Sequence, residues 1–362
     1  MTTFVLGLGV LRKHIRLSIL MALAVGIPVM ILLGLQSYEA GLRALYETSK
    51  SDFLLVQVSG SLGEFYGSRI PASLETDLRN LGISQAVPFI HTITGTTQQD
   101  AILLRGIPLN DYQRLETFTM LAGRPLQPGD PERLAMLGMR LADERSLLPG
   151  DTISIRGRDF EIVGIFESET YAGNEAWISL QDAQALLGWG DDVSVFRIPA
   201  GETLQAGDNL PGGISVVQQG DSGDAMLSEW DPFFDLFRLI IQALGLSAAL
   251  SLASVLWRLA WLQRRELAIL RSLGFSQASL TAYLLAQGSG IAALGMGLGL
   301  AGAWIISLLT RLETAGIFVR PVMAAQTIWT GLAFGAVITL VGSAIPIVWF
   351  NRVNLAELLR TE

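Results

Sequence analysis

Four uncharged stretches, each long enough to cross a lipid bilayer, constrain this chain more than any other feature of its sequence. They run from Leu17 to Leu35, from Leu239 to Trp257, from Ser272 to Thr310 and from Pro321 to Asn351. An α-helix rises about 1.5 Å per residue, so about 20 apolar residues cross a hydrocarbon core of about 30 Å. Of the 362 residues, 50% are hydrophobic and only 16% are charged. The sequence therefore predicts four transmembrane helices and excludes a soluble enzyme.

The charged residues are divided unevenly along the chain. Between Ser37 and Asp235 there are 29 Asp and Glu against 13 Lys and Arg, whereas the rest of the chain has 4 against 12. Basic residues flank the spans at Arg12, Lys13, Arg16, Arg258, Arg264, Arg265, Arg271, Arg352 and Arg360. Because basic flanks favour the cytoplasmic side, both termini and the segment between the second and third spans are expected in the cytoplasm. The acidic block is then outside, and it argues against nucleic-acid binding, which needs clustered Lys and Arg.

These spans divide the chain into nine segments. The predicted transmembrane helices are residues 17–36, 238–262, 279–310 and 326–350. The cytoplasmic segments are residues 1–16, 263–278 and 351–362, and the external segments are residues 37–237 and a short loop, residues 311–325. The first span is predicted to be an anchor and not a cleaved signal peptide, because its apolar run is long and no small-residue cleavage site follows it.

The segment between the first two spans has the pattern of a folded domain. Strands are expected at Phe53–Ser59 and Ala101–Gly106, and helices at Pro71–Leu81 and Pro131–Arg145. Asp151–Glu167 alternates apolar residues around a central Gly and predicts a hairpin. The fold class is therefore a membrane protein with four transmembrane α-helices and a large α+β domain inserted between helices 1 and 2.

Three further segments of this region have helical character. Leu180–Gly188 is expected to form a short helix closed by its glycine. Glu39–Ser49 and Asp224–Arg238 flank the inserted domain and are expected to extend the first two spans outward as a stalk. A simple anchor at the membrane surface is an equally good interpretation of the second flank.

The sequence lacks the motifs of a nucleotide-binding or metal-binding protein. A phosphate-binding loop needs a Lys followed by Ser or Thr after a Gly-rich turn, but the only lysines are Lys13 and Lys50, in other contexts. There is no Cys, and the two histidines, His14 and His91, fall on opposite sides of the first span. A structural role for His91 is favoured over ligand binding. No catalytic residue, cofactor or metal is expected.

One glycine pattern matches a dinucleotide-binding motif in the wrong context. Gly297, Gly299 and Gly302 fit G-x-G-x-x-G, yet they lie inside the third span and do not follow a strand. Close helix packing explains them better, with Gly295 and Gly299 as a small-x-x-x-small pair.

None of the four stretches contains an ionisable Asp, Glu, Lys or Arg, which ion-coupled transporters usually need. Energy, where it is used, is expected to come from a partner.

Three parts of the chain resemble the MacB/FtsX/LolC permease family. After the second span the chain reads RRELAILRSLGFS, from Arg264 to Ser276, like the family's segment at this place. Leu121–Asp130, Leu137–Ser168 and Ala176–Gly188 are similar to the periplasmic core domain of MacB-like permeases. The tail Val353–Arg360 is similar to the family's closing segment.

The resemblance implies a four-span permease of the bacterial cytoplasmic membrane. Such a permease dimerises with a second copy or a paralogue and docks two cytoplasmic ABC ATPase subunits, which bind the ATP. The chain differs from MacB, which has a fused nucleotide-binding domain, because it lacks a phosphate-binding lysine. In this respect the chain resembles FtsX and LolC, whose ATPases are separate chains.

The short amphipathic helix after the second span is then the expected ATPase-coupling site. Its pattern alone favours a surface helix under the membrane. The residues expected to contact the ATPase are Arg264, Arg265, Glu266, Leu267, Leu270, Arg271, Leu273 and Gly274. The three leucines are expected to enter a groove on the ATPase, with the charges at its rim and Gly274 as the C-cap.

Three classes of function remain open. The first is an export or extraction permease for a lipid-linked, amphiphilic or peptide substrate, acting by mechanotransmission, with a possible periplasmic adaptor. The second is an FtsX-like regulator that activates an extracytoplasmic cell-wall enzyme. The third, a membrane-anchored enzyme or receptor, is disfavoured by the missing catalytic clusters. The MacB-like segments favour the first class.

Overall fold

The structure is a computed structural model that describes residues 15–47, 53–61, 67–96, 101–201, 203–218, 227–228, 230–310, 312–314 and 316–352. The expectations for Lys13, His14, Lys50 and the tail Val353–Arg360 fall outside these residues. The chain divides into two compact units. One consists of long apolar helices, and the other is built on a large β-sheet.

In chain order the helices are α1 (Ile15–Glu47), α2 (Leu74–Asn80), α3 (Met139–Arg145), α4 (Leu180–Leu187), α5 (Asp231–Leu262), α6 (Arg264–Ser272), α7 (Gln277–Leu309) and α8 (Ala325–Arg352). The strands are β1 (Phe53–Val58), β2 (Val87–Gly95), β3 (Ala101–Ile107), β4 (Thr119–Gly123), β5 (Leu134–Gly138), β6 (Thr152–Ile155), β7 (Arg158–Glu167), β8 (Glu175–Ser179), β9 (Val195–Pro199), β10 (Asn209–Leu210), β11 (Ile214–Gln218), β12 (Leu312–Thr314) and β13 (Ile317–Val319).

Four helices, α1, α5, α7 and α8, are long and apolar enough to cross a membrane, which confirms the four predicted spans. Two of them continue beyond their uncharged stretches, as the predicted stalk requires. Helix α1 runs on to Glu47, and α5 already begins at Asp231. In this extension Arg238 of α5 donates two hydrogen bonds of 2.8 Å to the carboxylate of Glu39 on α1. Glu39 and Arg238, which lie beyond the uncharged stretches, therefore pair with each other.

Helices α1 and α7 approach each other closely at glycines. A Cβ atom on Gly295 would lie 2.5 Å from the carbonyl oxygen of Ala22, and one on Gly299 would lie 2.6 Å from that of Gly26. On the α1 side, a Cβ on Gly26 would lie 2.7 Å from the carbonyl oxygen of Gly295. Only glycine permits backbones to approach this closely, so Gly295 and Gly299 of the third span lie at a helix–helix contact.

Replacing Gly299 with leucine is expected to push α1 and α7 apart and to destabilise the helix bundle by at least about 1–3 kcal/mol, the usual cost of overpacking. Gly297 is the matched control, because a Cβ there would meet no atom within 4 Å among the described residues. Thermal unfolding of the full chain in detergent should therefore separate Gly299→Leu from Gly297→Leu. Equal transition temperatures for the two variants would contradict the packing role.

The second unit contains the inserted domain, defined here as β1 to β11 with α2 to α4. Its strands form a single sheet in the order β10, β11, β1, β9, β2, β3, β8, β5, β7 and β4, with β6 paired to β7. Most neighbours are antiparallel, but β3 with β8 and β5 with β7 are parallel. The three helices contribute Leu78, Leu141 and Ala183 to the core on one face. Aromatic side chains such as Trp177 and Phe166 form the core on the other face. This arrangement confirms the α+β domain between the first two spans.

Most local predictions for the inserted domain agree with this sheet. The hairpin forms as β6 and β7, with Ile155 opposite Arg158. Gly188 closes α4 with a φ of +70°. The helix expected over Pro131–Arg145 is wrong in its first half, because all five residues of Leu134–Gly138 are buried in strand β5 between β7 and β8. A short apolar run that is buried on both faces carries no periodicity that distinguishes a strand from a helix.

The external loop expected between the last two spans is a hairpin that folds with the inserted domain. Strands β12 and β13 pair in antiparallel fashion, and the structure groups them with the inserted domain. The backbone N–H of Phe318 donates a 3.1 Å hydrogen bond to Oδ1 of Asn174, which is fully buried. At Gly316, where φ is +82°, a Cβ atom would lie 2.9 Å from Cα of Ile102. The connection from α7 to α8 is therefore held against the inserted domain.

Candidate functional site

Helix α6 is held at both ends by the helices next to it in the chain. At its start only Gln263 separates it from α5, and the carbonyl of Gln263 accepts a 2.9 Å hydrogen bond from the N–H of Leu267. At its end the N–H of Phe275 donates to the carbonyl of Leu270, and the N–H of Gly274 to that of Arg271, both at 3.1 Å. This is a Schellman motif, which requires the left-handed conformation of Gly274, with a φ of +91°.

The helix that follows begins without a flexible linker. The Oγ of Ser276 accepts a 3.2 Å hydrogen bond from the N–H of Ser279 and caps α7. Side-chain oxygens at this position satisfy backbone donors that a helix start leaves unpaired. Helices α6 and α7 are therefore joined by a tight, hydrogen-bonded turn.

The inner face of α6 packs inside the helix unit. Leu267 is 1% exposed and lies in an apolar cluster with Leu280 and Leu284 of α7. Leu270 and Phe275 pack against the same cluster. The expectation that Leu267 and Leu270 present an apolar face to a partner is therefore wrong, because α7 already covers that face.

The outer face of α6 is a different set of residues, all exposed: Arg265, Glu266, Ile269, Ser272 and Leu273. Ile269 is 55% exposed and Leu273 is 70% exposed, so two large apolar side chains lie next to two charges. We call this set the outer face. Ile269 was not among the residues predicted from the sequence to contact the ATPase. Its spacing could have identified it, because Glu266, Ile269 and Leu273 are three and four residues apart and so lie on one side of a helix.

The other predicted coupling residues lie at the edges of this face. Arg264 and Arg271 are half-buried, and the guanidinium of Arg264 lies 4.6 Å from the ring centroid of Trp261. Within the described part of the chain, Arg265, Glu266 and Arg271 form no ion pair. An exposed apolar pair bordered by unpaired charges can bind another protein, with the charges free to form charge-assisted hydrogen bonds.

The inserted domain contains a buried cluster of charges that no motif in the sequence indicates. His91 on β2 lies opposite Arg105 on β3, and Glu175 on β8 lies on the same face of the sheet. The Glu175 carboxylate accepts hydrogen bonds from Arg105 at 2.8 Å and from Trp177 at 2.6 Å, and its Oε1 lies 3.0 Å from Nε2 of His91. Arg105 also lies over the ring of Phe89.

This cluster is a structural feature and not a reactive centre. Burial alone would raise the pKa of Glu175. Arg105, His91 and the hydrogen bond from Trp177 outweigh burial and lower this pKa from its ordinary value of 4.5 to about 2. The side chains of His91 and Glu175 are fully buried, so no substrate reaches them. Among the described residues, no group of three or more His, Cys, Asp or Glu could hold a metal ion.

Two family models match the chain and together cover most of it. The MacB-like periplasmic core domain matches residues 18–210, and the FtsX-like permease C-terminal domain matches residues 239–355. No curated protein matches the chain.

Solved structures give weaker likenesses. The periplasmic region of MacB from Actinobacillus actinomycetemcomitans is 12% identical, with a TM-score of 0.36, covering 50% of this chain and 95% of that one. A domain of a protein described as a permease from Porphyromonas gingivalis is 10% identical, with a TM-score of 0.28, covering 47% of this chain and 88% of that one. Both scores lie below 0.5, so the assignment rests on the family models.

The two models occur in the order that the helices and the inserted domain require. The periplasmic model covers most of α1 and the inserted domain from β1 to β10, and the permease model covers most of α5 and all of α6 to α8. The family consists of permease subunits that are generally not catalytic and work with an ABC ATPase subunit. It has several membrane spans and a large extracytoplasmic domain. The chain therefore belongs to the MacB/FtsX-like family of ABC transporter permeases.

Proposed function

We propose that this permease couples ATP hydrolysis by a separate cytoplasmic ATPase to movement of its extracytoplasmic domain, and so drives export or extraction of a lipid-linked, amphiphilic or peptide substrate. The observation that carries this proposal is the outer face, an exposed apolar pair on a short helix held between two membrane helices. The working assembly is a dimer of permease chains, identical or paralogous, with two ATPase subunits. A periplasmic adaptor is a further possible partner.

The mechanical path follows the chain from α6 to the inserted domain. Force applied to α6 passes through the tight turn at Gly274 into α7, which β12 and β13 follow in the chain. That hairpin is hydrogen-bonded to Asn174 of the inserted domain. Movement of α7 would reach the inserted domain through this hairpin. The uncharged spans support this mechanism, since a polar conduit would need polar or charged lining.

The orientation that this path requires places both termini and α6 in the cytoplasm. The chain has no cysteine, so single cysteines can be introduced and probed with a membrane-impermeant thiol reagent. A cysteine at Arg158, an exposed residue of β7, should be labelled in cells whose cytoplasmic membrane is intact. One at Arg265 of α6 should be labelled only after permeabilisation. The opposite pattern would contradict the orientation and the mechanical path with it.

The function itself is tested by assembly with an ATPase. We expect the tagged full chain, purified from its native membrane, to retain a subunit with a complete phosphate-binding loop, and the complex to hydrolyse ATP. The permease freed of that subunit should bind no ATP at micromolar concentration, because neither of its two lysines follows a Gly-rich turn. Nucleotide binding by the isolated permease, or a purified chain without any ATPase, would contradict the proposal.

A second function, FtsX-like activation of a cell-wall enzyme, is favoured by the FtsX-like model over residues 239–355. The mechanical path would be the same, and the extracytoplasmic domain would act on an enzyme outside the membrane. The identity of the co-purifying extracytoplasmic component distinguishes the two functions. A lipid, peptide or adaptor supports export, and a cell-wall hydrolase supports regulation.

A further inference from the structure

A cluster of three polar side chains is buried where α5, α6 and α7 meet. The Oε1 atom of Gln263, the residue between α5 and α6, accepts hydrogen bonds from the hydroxyl of Tyr283 at 3.0 Å and from Nε2 of Gln287 at 3.1 Å. Gln263 is 6% exposed and Gln287 is fully buried. Tyr283 and Gln287 are one turn apart on α7. We call these three residues the glutamine cluster.

The hydrogen bonds of the glutamine cluster are incomplete. The Nε2 atom of Gln263 and the Oε1 atom of Gln287 are buried without a hydrogen-bond partner among the described residues. Reversing both side-chain amides exchanges the donors and acceptors but again leaves one atom of each amide unpaired. A buried polar atom without a partner costs about 1–3 kcal/mol, and apolar side chains of the same shape avoid that cost. Stability alone therefore does not explain these residues.

The position of the glutamine cluster suggests a role other than stability. Gln263 precedes the first residue of α6, and its two partners belong to the early turns of α7. The apolar contacts between α6 and α7, such as that of Leu267 with Leu280, have no preferred direction, so these surfaces can slide. Hydrogen bonds weaken steeply when their length or angle changes, so they fix one angle between the two helices.

We propose that Gln263, Tyr283 and Gln287 are positioning residues, which fix the angle between α6 and α7 so that a displacement of α6 is passed to the third span. This inference rests on the proposed function, in which α6 receives the ATPase. None of the three belongs to the outer face, and all three are buried. The glutamine cluster thus acts on transmission and not on ATPase binding.

The test uses the full permease with its ATPase in lipid vesicles and two sets of substitutions. Gln263→Met, Tyr283→Phe and Gln287→Met combined remove all three polar groups, so no member of the glutamine cluster is left buried without its partner, and Tyr283→Phe alone removes a single hydroxyl. Thr339→Val is the control, because the buried hydroxyl of Thr339 donates to the carbonyl of Gly335 in its own helix and, among the described residues, to no residue of another helix. Three quantities are measured: the ATPase dissociation constant, the transition temperature of the permease, and the stimulation of ATP hydrolysis by the permease.

The triple variant is expected to lose stimulation at least tenfold, and Tyr283→Phe about threefold, with the dissociation constant and transition temperature unchanged or improved. The control, Thr339→Val, should match the wild type in the dissociation constant, the transition temperature and the stimulation. Wild-type stimulation in the triple variant would overturn the inference, as would a parallel fall of stability, binding and stimulation, which marks a structural role. A wild-type permease that binds no ATPase would instead refute the proposed function, and this inference with it.

Discussion

Aspartate at both Ile269 and Leu273 is expected to release the ATPase from the permease. These are the two large apolar side chains of the outer face, and a partner that binds there must cover both. Central apolar anchors contribute about 2 kcal/mol or more each to a protein interface, so losing both should weaken binding by roughly 100-fold to 1,000-fold. Two carboxylates in the same groove would add a desolvation cost.

The measurement is the dissociation constant of the ATPase from permease in lipid vesicles. Leu148→Asp is the matched control, because Leu148 is 65% exposed but belongs to the inserted domain. Glu266→Lys should have a smaller effect, since a charge at the rim of an interface is partly screened. Leu270→Asp, the substitution that the sequence pattern alone would select, is a poor probe, because Leu270 packs against α7. Wild-type affinity in the double aspartate variant would make α6 an ordinary surface helix.

The sequence predicts those parts of the fold that depend on local chemistry. Four spans follow from the cost of burying charges in lipid, which keeps Glu39 and Arg238 outside the uncharged stretches. Gly274 and Gly188 end their helices because they adopt positive φ at little cost. Each of these features is decided within a few residues of the chain, so a single sequence is enough to identify it.

Features that depend on a distant partner are not predictable in this way. Which face of α6 is exposed is decided by α7, and the leucine spacing fits both faces nearly equally well. Leu134–Gly138 forms a strand because β7 and β8 lie on either side of it. The hairpin of β12 and β13 docks on the inserted domain through Asn174, which is far away in the sequence. Tertiary contacts override the local signal in all three cases.

The buried charges of the inserted domain are the clearest example of this limit. In the sequence His91, Arg105 and Glu175 are three polar residues among many in an acidic block, without a shared motif. They meet because β3 lies between β2 and β8 and because the register of these strands puts all three on one face. A search for buried ion pairs therefore needs the strand order, which a single sequence does not provide.

Replacing Glu175 with glutamine is expected to destabilise the inserted domain by about 3–5 kcal/mol, because it leaves the guanidinium of Arg105 buried without its counter-charge. Glutamine keeps the shape of the side chain, so a cavity does not contribute. Glu132→Gln, at an exposed residue, is the control and should change the stability by less than about 0.5 kcal/mol. Replacing both Arg105 and Glu175 with methionine should recover part of the loss, since it removes both charges of the pair but leaves the buried N–H of Trp177 without its acceptor.

The stability lost in Glu175→Gln is also expected to depend on pH. The pKa of Glu175 is about 2 in the folded chain and near 4.5 without the surrounding structure, so its ionised form contributes fully to stability above pH 4.5. That contribution falls as the pH decreases from 4.5 towards 2. The stability difference between wild type and Glu175→Gln should therefore narrow as the pH falls from 4.5 towards 2. Urea titration of the full chain in detergent, read by deuterium-pulse labelling of β3 and β8, measures this difference. A gap that stays constant down to pH 2.5 would show that Glu175 is not the ionised partner of Arg105.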